Sequence, residues 1–242
     1  MKLTNDDVAN LHKILTVCDL VNIGSIVIEN GKVSGINEDR SAMILSNNNI
    51  PVLEDDIKLG LTRLKLLKSR LDIFNNDTNL NISLDTKANN ETSQLNIKGK
   101  SSSVKFRATS PTQIKYPKGI NDTPLKELTI SRAEAMLILN AGKSMDAANI
   151  AINIKKDNSV IVEFSDLNQD TFTIALEEPA TSVSDEDGDS QVNYYIFKMF
   201  SSLVKAAFAE DGIESINLII GSSATQIFVY GHAMRLLAQT SA

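Results

Sequence analysis

Ser25-Ile26-Val27-Ile28-Glu29-Asn30-Gly31-Lys32-Val33 reads as two short strands about an Asn-Gly turn, the dipeptide that best tolerates the left-handed backbone of a tight hairpin. A second passage has the same grammar. Ala151-Ile152-Asn153-Ile154-Lys155-Lys156-Asp157-Asn158-Ser159-Val160 is again strand, polar turn, strand. Each hairpin follows a stretch with helical spacing. Leu3-Thr4 precedes Val8, Leu11, Leu15 and Cys18; Leu128-Thr129 precedes Ala133, Met136, Leu137 and Ala141. Self-similarity at this range implies a duplicated unit.

The parallel continues downstream. A further alternating strand is expected near Ser41 to Leu45 and another at Thr171 to Leu176. A second helix follows in each half. Leu64, Leu67 and Leu71 share a face between Leu61 and Ile73; Phe200, Leu203, Val204 and Ala207 do so between Lys198 and Ala209. Strands at Asn79 to Leu84, Gln94 to Lys98 and Val104 to Ala108 close the first half. Ser215 to Gly221, Gln226 to Val229 and Ala233 to Ala238 close the second. Residues 111–125 hold three of the five prolines and no helical period, which reads as a linker. The expectation is an α+β protein of two similar domains, 1–110 and 126–242, each with two helices on one face of antiparallel sheets.

Composition narrows the function. Hydrophobic residues make up 42% and charged residues 22% of the 242 positions, as in a water-soluble globular protein. One cysteine, Cys18, excludes an internal disulfide framework and suits a reducing compartment. With only two histidines, no thiolate or multi-histidine zinc site can assemble. No signal-like or membrane-spanning apolar run is present, so a cytoplasmic protein without membrane contact is expected. The net charge of −6 and sequence pI near 5.0 argue against nucleic acid over the whole surface, but not against one local basic face.

The charges are in fact segregated. On the helices, Lys13 lies opposite the first apolar stripe, while Arg63, Lys65, Lys68 and Arg70 surround the polar side of the second. Lys198 and Lys205, seven residues apart, share the polar face of the fourth. The third helix is apolar nearly all round and is bracketed by Arg132 and Lys143. Acids gather elsewhere, at Glu54-Asp55-Asp56, Glu177-Glu178 and Asp185-Glu186-Asp187-Gly188-Asp189. Basic helices in an acidic protein fit sequence-independent phosphate contact.

Chemistry-bearing motifs are scarce. Asp185 to Asp189 places Gly fourth and leads into strand-like Val192 to Ile196, unlike a calcium loop with Gly at its sixth position between helices; an exposed acidic turn is expected. Gly99 to Ser103 lacks the Gly-Lys-Ser/Thr ending of a phosphate loop. His12 and His232 have no nearby acid–base partners in sequence, and Cys18 falls on a buried stripe. No catalytic constellation, metal site or cofactor is expected.

Met1-Lys2-Leu3-Thr4 with its amphipathic helix resembles the start of tailed-bacteriophage DNA polymerase sliding clamps, within the wider PCNA-like clamp family. So do Asp185-x-Asp187-Gly188, Val192-Asn193-Tyr194-Tyr195-Ile196 and Ile216-Asn217-Leu218-Ile219-Ile220-Gly221. The resemblance implies a non-enzymatic homotrimeric ring around duplex DNA, with the helices and their cations facing it. By the same resemblance, such a ring would act in the cytoplasm of an infected bacterium and engage the DNA polymerase, a clamp loader and late transcription proteins. It implies a subunit interface between the strand of Val104, Phe106 and Ala108 and that of Phe172, Ile174 and Leu176. A partner-peptide pocket would be formed by Ile44, Ile114, Tyr116, Pro117, Leu236 and Leu237. Two other readings remain open on the residues: a monomeric DNA-binding processivity protein, and a β-rich structural virion protein.

Overall fold

The computed structural model describes residues 2–46, 57–74, 77, 80–116, 122–166, 168, 170–183 and 190–238. Asp185 to Asp189 and Pro117 lie outside the described residues. The chain divides into two compact units, Met1–Gly119 and Ile120–Ala242.

The first unit runs α1 (Asn5–Leu20), β1 (Ser25–Glu29), β2 (Lys32–Ile36), β3 (Ala42–Ser46), β4 (Lys58–Thr62), α2 (Leu64–Asp72), β5 (Asn81–Thr86), β6 (Thr92–Lys98) and β7 (Ser103–Arg107), followed by a 3₁₀ turn at Pro111–Gln113. The second runs β8 (Pro124–Ser131), α3 (Arg132–Ser144), β9 (Asn149–Ile154), β10 (Val160–Ser165), β11 (Thr171–Ala175), β12 (Thr181–Ser182), β13 (Gln191–Ile196), α4 (Phe197–Phe208), β14 (Ser215–Gly221), β15 (Ala224–Val229) and β16 (His232–Leu237). The class is α+β with antiparallel pairing, as expected.

The duplication is element for element. In the first unit the strands pair in the order β3-β2-β1-β4; in the second, β11-β10-β9-β13. Likewise β5-β6-β7 answers to β14-β15-β16. Beside β5, Lys2 bridges to Ser83 and the Leu3 amide donates to the Ile82 carbonyl at 2.8 Å; beside β14 lies the full strand β8. Only β12 lacks a counterpart among the described elements.

Both quoted hairpins form. Asn30 and Gly31 take φ of 51° and 67°, so β1 and β2 turn in two residues with Ile28 opposite Val33. The second hairpin needs a five-residue loop, closed by Lys155 and Ser159 and by Asn158 at φ 64°.

The repeat register differs from the sequence expectation by two residues. Thr4 caps α1, accepting from the Asp7 amide at 3.2 Å while Asp7 Oδ2 accepts from the Thr4 amide at 2.7 Å. Its counterpart is Ser131, which caps α3 in the same reciprocal box with Glu134, and not Thr129. The shift relocates the buried face of α3. Ala135, Ile138, Leu139, Ala141 and Gly142 are buried, whereas Ala133, Met136 and Leu137 face solvent. An apolar pattern on every side leaves the choice of face to packing. In α1, Leu11, Ile14, Leu15 and Cys18 are buried, but Val8 is only half-buried.

Three strands go beyond the sequence reading: β4, β8 and β12. Leu59 and Leu61 of β4 continue the leucine pattern of α2, which is why the spacing alone starts that helix at Leu61. It begins at Leu64, after Arg63 takes the left-handed conformation at φ 58°. β8 begins inside the expected linker, with Pro124 at the first strand position, where a missing amide is tolerated.

The cores are aliphatic. Within the second unit α4 packs against β9, β13, β14 and β15, and α3 against α4, β8 and β10. Each fully buried aliphatic side chain, such as Leu11, Ile138 or Leu203, contributes about 1.5–3 kcal/mol of transfer free energy.

Candidate nucleic-acid interface

The helices carry the cations expected to meet DNA, and their surroundings separate these into two groups. The arginines are held by the protein. Arg63 and Arg70 both stack on the Phe106 ring, at 4.9 and 5.7 Å from its centroid. Arg132 lies 5.0 Å over Phe208 and donates to the carbonyls of Phe208 and Ile213. Such contacts fix a guanidinium and join elements.

The lysines are more available. Lys13, Lys65, Lys143, Lys198 and Lys205 are exposed. Lys65 is 3.6 Å from Asp19, yet its side chain remains 77% exposed. Lys68 is the exception: its ammonium sits 3.4 Å from Asp72 and its side chain is 23% exposed. Lys198 and Lys205 project from α4 on the side opposite buried Phe200, Leu203, Val204 and Ala207. An exposed ammonium on a long stem suits phosphate contact without base readout.

A cross-link that the sequence reading missed ties α1 to α2. His12 Nε2 lies 2.8 Å from Asp72 Oδ1, so the histidine packs through an ion-pair partner brought in from the other helix. The residues are sixty positions apart, so no local signal announces the pair. The hydrogen bond from His12, followed by the charge of Lys68, holds the Asp72 carboxyl below its ordinary range. At the same end of the helices, half-buried Val8 lines a cleft of about 460 Å³ with His12, Leu71 and Phe74. Cys18 is fully buried, and burial pushes its thiol pKa up, which leaves it unreactive. His232 is buried in β16.

The solvent face of α3 differs from the others. Met136 and Leu137 are about half exposed, and Arg132 and Lys143 stand only at its ends.

The remaining candidate residues fall as follows. Val104, Phe106 and Ala108 lie on or beside β7, with Phe106 buried and the other two half-buried; Phe172, Ile174 and Leu176 lie on or beside β11, where Phe172 is exposed. β7 and β11 each stand at the end of a sheet. Of the candidate peptide-docking residues that are described, Ile44, Ile114 and Leu236 are buried, and Tyr116 and Leu237 are partly accessible.

Among the described residues no cluster of His, Cys, Asp or Glu could hold a metal ion, and no helix is long and apolar enough to cross a membrane.

A scan against protein-family models and a search of curated proteins return no match. Solved structures do match. PCNA from A. fulgidus, determined with the C-terminal region of FEN-1 bound, aligns with a TM-score of 0.69 at 12% identity over 100% of this chain and 99% of that one. The PCNA2–PCNA3 complex from Sulfolobus tokodaii aligns at 0.64 with 14% identity, covering 98% of both chains. The DNA polymerase III subunit beta from Pseudomonas aeruginosa aligns at 0.69 with 8% identity, over all of this chain and 66% of that subunit. The duplicated α+β architecture of this chain is thus the fold of the DNA sliding clamps.

Proposed function

We propose that the chain is a non-catalytic sliding clamp, which closes with copies of itself around duplex DNA and tethers a DNA polymerase. The observation that carries this reading is the likeness, over 98–100% of this chain, to two PCNAs and a polymerase III beta subunit, present in an acidic molecule whose helix-borne lysines, Lys68 apart, are exposed. A ring holds DNA by topology, so a few non-specific phosphate contacts of about 0.1 mM to 1 μM affinity suffice. Lys13, Lys65, Lys143, Lys198 and Lys205 are the phosphate contacts in this reading, and Arg63, Lys68, Arg70 and Arg132 support them from fixed positions.

The finer reading is a homotrimer from a tailed bacteriophage, working in the cytoplasm of the infected bacterium. Residues 1–110 and 126–242 form the two clamp domains, 111–125 the connection, and three copies supply six domains. The bound FEN-1 segment of the A. fulgidus structure supports docking of partner peptides from the polymerase, the clamp loader and late transcription proteins. Opening and loading fall to an energy-consuming partner.

Native mass measurement of the purified chain tests the assembly. A species of three times the 26.4 kDa of one chain supports the trimeric clamp. A single-chain mass with direct binding to linear DNA would favour a monomeric processivity protein, and long polymers indifferent to DNA a structural virion protein.

A further inference from the structure

Within the first unit, a cleft of about 510 Å³ opens where the end of β4, the start of β6 and the chain beyond β7 meet. Its charged lining is cationic throughout: among the described residues Arg63, Lys87 and Arg107 line it, with no Asp or Glu. That is unlike the molecule as a whole, which carries a net charge of −6. Nor are these cations neutralised close by. Among the described residues none of the three has a carboxylate within ion-pair distance. Glu91 lies outside the lining and accepts from Ser110 Oγ at 3.2 Å. Arg63 is also fixed in place, its guanidinium resting 4.9 Å over the Phe106 ring, and a donor held in advance loses less freedom when it binds.

The remaining walls supply hydroxyls, and Thr92 stands apart among them. It is 2% exposed, the one buried residue in the lining, and its Oγ1 has no hydrogen-bond partner among the described residues. Buried hydroxyls in folded proteins nearly always find a partner, so an unanswered one needs an acceptor or donor from outside the chain. Opposite Thr92 the β5–β6 ladder shifts register between Asp85 and Thr86, an irregularity of the kind that re-aims a side chain. Thr62 and Thr109 add a second donor. Their Oγ1 atoms lie 3.0 Å apart, and whichever donates to the other leaves one hydroxyl proton to offer. Ser93 and Ser110 are already engaged, with the Asp85 carbonyl and the Glu91 carboxylate.

We propose that this cleft binds a doubly charged phosphate, as the inorganic ion or as the 5′-monophosphate of a nucleotide, with Arg63, Lys87 and Arg107 meeting its charge and the Thr92 hydroxyl donating to one of its oxygens. The site does not depend on the clamp reading, and it differs from the lysine contacts to a duplex. A backbone phosphodiester carries one charge and is met by a single exposed lysine. A terminal phosphate carries close to two charges at neutral pH and three strong acceptor oxygens, which matches three cations with two hydroxyl donors. A solvated patch of cations accounts for Arg63, Lys87 and Arg107 but not for a buried hydroxyl beside them. A water at Thr92 would answer the hydroxyl and leave the cations without a counter-charge. A phosphate answers both.

Titration calorimetry on the full chain at low salt tests the site, with inorganic phosphate and deoxyadenosine 5′-monophosphate as probes and deoxyadenosine and acetate as controls. Phosphate should bind once per chain, and neither control should bind. T92V removes the hydroxyl at nearly constant shape and K87Q removes one cation; each should weaken phosphate binding at least about tenfold. K32Q, on β2 outside the cleft, should match wild type. Without phosphate T92V should melt no lower than wild type, because the unanswered hydroxyl is gone. It should also lose the rise in melting temperature that saturating phosphate gives wild type. Binding of both probes supports the site and assigns it a nucleotide end; binding of inorganic phosphate alone supports it and assigns the free ion. No heat with either probe, acetate binding as tight as phosphate, or wild-type affinity in both T92V and K87Q overturns it. A T92V that melts well below wild type without phosphate also overturns it, since the hydroxyl would then be bonded within the protein.

Discussion

Asp72 shows how one side chain sets the pH behaviour of a helix pair. It accepts from His12 at 2.8 Å and faces Lys68 at 3.4 Å, and its carboxyl pKa is lowered from the ordinary 3.8. A depressed carboxylate stabilises the fold at pH above its unfolded value, and that contribution fades as pH falls through the folded value. The urea midpoint of D72N should therefore lie below that of wild type near neutral pH, and the two should converge below about pH 4. A gap that persists unchanged in acid would show that Asp72 acts by packing alone. Ser131 gives a second prediction at this scale. Its hydroxyl accepts from the Glu134 amide and the Glu134 carboxylate accepts in return from the Ser131 amide, so S131A should cost about 1 kcal/mol in denaturant unfolding. This box was also the signal that could have fixed the repeat register in the sequence, since Ser131-x-x-Glu134 matches Thr4-x-x-Asp7 directly.

The elements show where sequence pattern is decisive and where packing overrides it. Hairpin β1–β2, the leucine face of α2 and the apolar face of α4 were legible because period and turn chemistry agree there. The buried face of α3 was not, because Met136 and Leu137 are as apolar as Ile138 and Leu139. The fold resolves that choice partly through Gly142, where an added Cβ would run into the Phe197 ring at the start of α4. G142A should thus destabilise by about 1–3 kcal/mol through overpacking, although alanine is the better helix former; a gain in melting temperature would contradict this close approach. β4 and β8 escaped notice because a five-residue strand merged with a leucine helix and a proline opened the other. Of the candidate site, the polar face of α4 could be read from spacing. The anchoring of Arg63, Arg70 and Arg132 on Phe106 and Phe208 could not, since it joins residues far apart in the chain.

The whole molecule is one α+β unit written twice, with exposed lysines on each of its four helices. If the exposed lysines act on phosphates, K65E/K198E/K205E should impair loading onto DNA while native mass stays at the wild-type assembly. The salt dependence should flatten by about 0.9 in log–log slope for each phosphate that is no longer neutralised. Collapse of the assembly in that variant would instead place these lysines between subunits. The most direct measurement is retention of loaded protein on a closed DNA circle, before and after one cut in the duplex. A topological ring stays on the circle through high salt and runs off once an end is made. Equal retention on circular and linear DNA, governed only by salt, would contradict encirclement.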